Sequence, residues 1–128
     1  MIDKNGKSVI TDFGIAAFID DTLHDTYQTL SVAYSPPERF HRVDKADIRS
    51  DIYSMGMVFY ELFTGRKPFI TTDRSEIELW HINEIPAPVN RLNSSISPKI
   101  TAAINTALEK KPENRFKDFL DFKIAMGI

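Results

Sequence analysis

The chain has 128 residues, a formal net charge of −2, 42% hydrophobic and 27% charged residues, and no cysteine. This length suffices for one domain with its own core, the composition is that of a globular protein, and disulfides and Cys-based zinc sites are excluded. The near-neutral charge leaves no electrostatic footprint for nucleic acid or an anionic membrane. No apolar run approaches the roughly 20 residues of a membrane span, and Met1-Ile2-Asp3-Lys4 does not open a signal peptide, so a cytoplasmic protein is the expectation. His24, His41 and His81 are scattered without metal-ligand spacing and read as surface or core residues.

Taken in chain order, Ile2 to Thr11 reads as a hairpin. Asn5-Gly6 supplies turn chemistry with positive φ at low cost, and Ser8-Val9-Ile10-Thr11 is a short β-branched strand. Residues 15–46 carry no sustained period, and a loop of that length in a compact domain is functional or disordered. A helix is predicted from Ser50 as N-cap, with Asp51 in its first turn near the positive end of the helix dipole. Ile52, Met55, Val58, Phe59, Leu62 and Phe63 follow helical spacing, and Tyr53 and Met57 widen the apolar face, so this helix is predicted to be buried on most sides. Gly65 suits its left-handed C-cap.

A short helix capped by Thr72 or Asp73 is predicted through His81, with Ile77 and Trp80 inward. Residues 85–98 hold three prolines and read as an extended connector. Ser97-Pro98 opens another helix, with Ile100, Ala103, Ile104, Ala107 and Leu108 on one face, Lys110 and Lys111 toward its C-terminal end, and Pro112 stopping it. A last helix is predicted from about Lys117 to Met126.

Four motifs carry more than local structure. Asp12-Phe13-Gly14 directly follows the β-branched strand. Pro36-Pro37-Glu38 comes after the long polar loop. Arg49 to Gly56 opens the apolar helix. Lys111-Pro112-Glu113-Asn114-Arg115-Phe116 lies between the last two helices. In order, spacing and placement they resemble the eukaryotic-type protein kinase family, in the form of the bacterial Hanks-type Ser/Thr kinases. Asp12-Phe13-Gly14 is similar to the D-F-G motif, and Pro36-Pro37-Glu38 to A-P-E with proline in place of alanine. Residues 49–56 resemble the start of the family's central helix, Gly65 to Phe69 the segment after it, and Pro112 to Phe116 its late arginine motif. The resemblance covers essentially the whole chain.

It implies a mainly α, kinase-like C-lobe fragment of the α+β kinase fold, with a short N-terminal hairpin, an activation segment and about four helices. Residues 1–128 would form a partial kinase domain, with the activation segment at about 12–38 and the helical C-lobe at about 47–128. Asp12 would be a magnesium ligand, and Phe13 would pack in the hydrophobic spine beside Gly14. Thr22, Thr26 and Thr29 would be candidate phosphorylation sites, where phosphate can order a loop through arginine pairs. Ser31 would place a hydroxyl for substrate docking and Ser/Thr preference, although Leu30 replaces the family's preceding glycine. Glu38 and Arg115 would form a buried ion pair. Asp51 would accept backbone N–H bonds from the catalytic loop.

Phosphoryl transfer to protein Ser/Thr also needs a glycine-rich loop, a Lys/Glu pair and an H-R-D catalytic loop. None of these is in the 128 residues. His41-Arg42-Val43-Asp44 only approaches H-R-D and follows Pro-Pro-Glu. The catalytic Asp is therefore expected upstream of Met1, so no catalytic residue is assigned here. ATP and magnesium belong to the intact kinase and would not be held tightly by this chain, which is expected to be catalytically incompetent alone. Its partners would be a protein substrate or the missing kinase half, and an uncovered apolar helix would promote self-association. The alternative is a non-catalytic kinase remnant that acts as a protein-binding module.

Overall fold

A computed structural model describes residues 32–41 and 47–128. The hairpin and Asp12-Phe13-Gly14 lie outside the described residues, as do Thr22, Thr26, Thr29, Ser31 and the Arg42-Val43-Asp44 stretch. Among the described residues there is no β-strand. After a 3-10 turn at Pro37–His41 come helices α1 (Ile48–Thr64), α2 (Arg74–Asn83), α3 (Val89–Leu92), α4 (Pro98–Ala107) and α5 (Phe119–Met126), with a second 3-10 turn at Pro112–Asn114.

Helix α1 forms the centre. Asp47, not Ser50, is its N-cap and accepts from the Arg49 N–H at 2.8 Å. The helix thus starts earlier than predicted, because a carboxylate three residues upstream reaches the orphan amides first. Ser50 is left inside the first turn, with its hydroxyl free for a tertiary bond. At the other end Gly65 adopts φ 72°, the left-handed cap its lack of a Cβ permits.

The buried stripe of α1 is Ile52, Tyr53, Gly56, Met57 and Tyr60. Val58 and Leu62 were expected inward, but they are 46% and 68% exposed. The helix is apolar around much of its circumference yet covered along a narrower face. Hydropathy reports what a face tolerates and not what packs on it.

Helix α4 lies against that stripe with Ala103, Ile104 and Ala107, and Leu108 follows at its end. Gly56 permits the close approach, since a Cβ there would sit 2.9 Å from the Ala107 Cβ. Ser97 caps α4 by accepting from the Ile100 N–H at 3.3 Å. The helix ends at Ala107, so Lys110 and Lys111 lie beyond it. Phe122 and Met126 of α5 complete the core, with the Phe122 ring edge-on to Phe59 at 5.9 Å and stacked on Phe116 at 5.4 Å.

The proline-rich connector is not wholly extended. Helix α3 interrupts it, and Val89 there is fully buried. Just beyond, the Asn93 side chain donates to the Phe63 carbonyl at 2.8 Å, tying the connector to the last turn of α1. Asp73 caps α2 through the Glu76 N–H at 3.0 Å, and Ile77 and His81 face inward. No helix among the described residues is long and apolar enough to cross a membrane.

Candidate functional site

The segment from Val32 to His41 is where the candidate chemistry meets the helical core. Its local shape follows from its prolines. Pro36 and Pro37 fix φ, which suits a chain turning into a 3-10 helix. The Ser35 N–H donates to the Val32 carbonyl at 3.1 Å and the Arg39 N–H to the Pro36 carbonyl at 3.1 Å. Pro36 and Pro37 are buried, so the segment lies against the core, and the turn aims Glu38 inward.

Glu38 meets Arg115 across 77 residues of sequence. The two guanidinium nitrogens Nη1 and Nη2 donate to the two carboxylate oxygens at 2.8 and 2.9 Å, a bidentate pair. Arg115 has three further bonds: Nε to the Glu109 carbonyl at 2.7 Å, Nη1 to the Arg49 carbonyl at 3.1 Å and Nη2 to the Lys110 carbonyl at 3.0 Å. All five guanidinium N–H donors are thereby used. The Ser50 hydroxyl donates to Glu38 Oε1 at 2.7 Å. Burial pushes the Glu38 carboxyl up, but the bonds from Arg115 and Ser50 outweigh it and hold the group below the usual carboxylate value. Arg115 also lies over the Tyr53 ring, 4.8 Å from its centroid. One side chain thus joins the Pro-Pro-Glu turn, the start of α1 and the chain leaving α4.

Tyr34 is held separately. Its hydroxyl donates to Glu61 Oε2 at 2.6 Å near the end of α1. Lys67 pairs with the other Glu61 oxygen at 3.5 Å and lies 5.5 Å from the Tyr34 ring centroid. Burial, then the bond and charge of Glu61, push the Tyr34 hydroxyl up to about 12, so it stays a donor.

Behind the segment lies a buried polar cluster. His81 is 0% exposed. Its Nδ1 is 2.8 Å from the Tyr53 hydroxyl and its Nε2 is 3.2 Å from the Ala33 carbonyl. Burial, then the nearby charge of Lys110, push the imidazole down to about 4, so it is neutral. Burial, then Arg115, push the Lys110 amine down to about 8. Its Nζ has no hydrogen-bond partner among the described residues and sits 4.9 Å from the Trp80 ring centroid and 5.9 Å from that of Tyr53. Cation–π attraction partly replaces the missing bonds.

Asp51 is exposed in the first turn of α1, with no hydrogen bond or ion pair among the described residues. Asp12 lies outside them, and no group of three His, Asp, Glu or Cys side chains among the described residues could hold a metal ion. Sequence reasoning passed over the partners: Ser50 on Glu38, Glu61 on Tyr34, and His81 on Ala33. Tyr34 stands beside a motif that was read. Glu61 and His81 carry no local signal, because each acts on a residue tens of positions away.

Two partly buried ties, at Glu38 and Tyr34, dock a proline-containing segment onto a central helix of a helical lobe. The family profile described as "Protein kinase domain" matches residues 1–121. Serine/threonine-protein kinase PknB of Mycolicibacterium smegmatis is 38% identical over 121 residues, which cover 91% of this chain and 19% of that protein. PknB of Mycobacterium tuberculosis is 36% identical over the same shares. A probable serine/threonine-protein kinase of Clostridium acetobutylicum is 39% identical over 120 residues, 92% of this chain and 18% of the relative. The chain belongs to the protein kinase family, among the bacterial Hanks-type Ser/Thr kinases. It spans about a fifth of the length of these curated relatives.

Proposed function

We propose that this chain is the substrate-docking and regulatory part of a Ser/Thr protein kinase that transfers the ATP γ-phosphoryl group to protein serine or threonine. The observation that carries this reading is the Arg115–Glu38 lock. It fixes the Pro-Pro-Glu turn against the start of the central helix. Phosphoryl transfer depends on positioning and electrostatic stabilisation, and a docked loop supplies the positioning of a protein substrate. Ser31, seven residues before Glu38, is the candidate docking hydroxyl, and Thr22, Thr26 and Thr29 are candidate phosphosites upstream of it. In the intact enzyme Asp12 would be a magnesium ligand, and the metal would supply charge stabilisation for phosphoryl transfer. Asp51 would receive backbone N–H groups of a catalytic loop, a role left open by its exposed carboxylate, which has no partner among the described residues. The 128 residues contain no glycine-rich loop or H-R-D motif, so no phosphotransfer is expected from this chain alone.

A chimera tests this. The chain replaces the matching residues in the kinase domain of the M. smegmatis relative, and phosphotransfer from labelled ATP to a Ser/Thr protein substrate is measured. Activity in the chimera, its loss in Asp12→Ala and no turnover by the 128-residue chain are expected. A folded but inactive chimera would sink the reading and favour the second one, a non-catalytic module that binds a protein partner. The exposed Val58 and Leu62 on the central helix are the observation that favours this alternative.

A further inference from the structure

The segment 32–38 is tied down at three places. Glu38 goes to Arg115 and Tyr34 goes to Glu61, both through side chains. The third tie grips the main chain, where His81 Nε2 reaches the Ala33 carbonyl 48 residues away in sequence. Of the three it lies closest in sequence to Ser31, two residues upstream.

The protonation of this histidine follows from its partners. A carbonyl oxygen can only accept, so Nε2 carries the hydrogen. Nδ1 then has a lone pair and accepts from the Tyr53 hydroxyl at 2.8 Å. Tyr53 remains protonated because burial, the largest influence on it, raises its pKa, outweighing the opposite pull of Arg115. The ring cannot swing away. Phe40, Tyr53, Phe69 and Trp80 surround it, with centroids at 6.0, 5.7, 5.7 and 5.3 Å. An imidazole with one tautomer and one orientation is a rigid strut from α2 to the loop.

We propose that His81 is a positioning residue: it transmits the placement of α2 to the main chain beside Ser31, and so sets how a protein substrate docks. This rests on the kinase reading above. His81 is fully buried, so its loss is expected to act on substrate KM through the loop and to leave the KM for ATP alone.

Two measurements test it. The first is amide hydrogen exchange on the chain itself. In His81→Leu the amides of residues 32–35 are expected to exchange about 3- to 10-fold faster, the worth of one hydrogen bond, while Ile104 and Ala107 in α4 keep their protection. His81→Gln, whose side-chain N–H can still reach the Ala33 carbonyl, restores most of the protection. Tyr53→Phe leaves that bond in place but frees Nδ1, so the 15N signals of His81 shift while residues 32–35 stay protected. Unchanged exchange at residues 32–35 in His81→Leu overturns the proposal. If that variant does not fold, His81→Gln decides, because equal loss of protection in all helices would mean a structural role only. The second is kinetics in the chimera, where His81→Leu raises the KM for protein substrate and His81→Gln does not. An active chimera in which His81→Leu leaves that KM unchanged refutes the proposal. An inactive chimera with the native His81 refutes the kinase reading instead, and the exchange measurement still reports whether His81 holds the loop.

Discussion

Replacing Arg115 by alanine is expected to be the most damaging single change outside the apolar core. The side chain of Arg115 is 0% exposed and that of Glu38 11%, so the charges are well removed from water. Truncation removes five hydrogen bonds at once. Among the described residues the Glu38 carboxylate keeps the Ser50 hydroxyl and its own backbone N–H, and the carbonyls of Arg49, Glu109 and Lys110 each lose the Arg115 donor. Stranding one charge of such a pair costs about 3–5 kcal/mol, against a total stability of about 5–15 kcal/mol for an ordinary domain. Arg115→Lys keeps the charge but offers three donors to five acceptor contacts, so a loss of about 2 kcal/mol is expected at roughly 1 kcal/mol per net bond. The assay is urea unfolding followed by fluorescence of Trp80, the single tryptophan, and by far-UV circular dichroism. A double-mutant cycle with Glu38→Ala should give a coupling of at least about 1.5 kcal/mol, within the range seen for contacting residues. A cost below about 1 kcal/mol for Arg115→Ala, or additive single changes, would refute the reasoning that this pair locks the loop.

Other outcomes follow from the same packing. His81 is neutral in the fold with its pKa lowered to about 4, but it protonates near 6.5 once unfolded. The unfolded state therefore binds more protons between these values, and stability falls as pH drops from about 6.5 to about 4, by on the order of 3 kcal/mol in all. In His81→Gln that contribution disappears, so the difference between the two stability–pH curves should be confined to this window. Gly56→Ala places a Cβ 2.9 Å from the Ala107 Cβ and 3.1 Å from Leu108 Cδ2. Overpacking of about 1–3 kcal/mol outweighs a helix-propensity gain of about 1 kcal/mol, so thermal denaturation should show a net loss that Ala107→Gly recovers in the double variant. Lys110→Met replaces a buried amine that lacks a hydrogen bond among the described residues, so unchanged or raised urea stability at pH 7 is expected. It should also remove the rise in stability between pH 8 and 10.5 that a lowered lysine pKa produces. A clear loss at pH 7 would show that the cation–π contacts with Trp80 and Tyr53 dominate.

Much of the helical lobe was legible in the chain. Asp73, Ser97 and Gly65 are caps whose chemistry is local, so they sit where expected or as one of two expected choices. The start of α1 was misread because both Asp47 and Ser50 can cap, and the choice depends on where Glu38 draws the Ser50 hydroxyl. Helix α3 was missed because prolines argue against helix locally, whereas a buried Val89 argues for it only once α1 and α4 are present. Val58 and Leu62 fit the apolar period of α1 yet stand exposed, since period does not say which neighbour arrives.

By itself the sequence determined four of the helices and the caps Asp73, Ser97 and Gly65, and through four ordered motifs the family. Those are properties of neighbouring residues and of spacing, set by backbone sterics and hydrogen bonding within a few positions. Only the tertiary structure decided that Arg115 spends all five donors on one junction, that Tyr34 is held by Glu61, and that His81 grips Ala33. Each of these joins residues 27 to 77 positions apart. Such pairs form because burial makes an unpaired polar group costly, and burial exists only once the helices have packed.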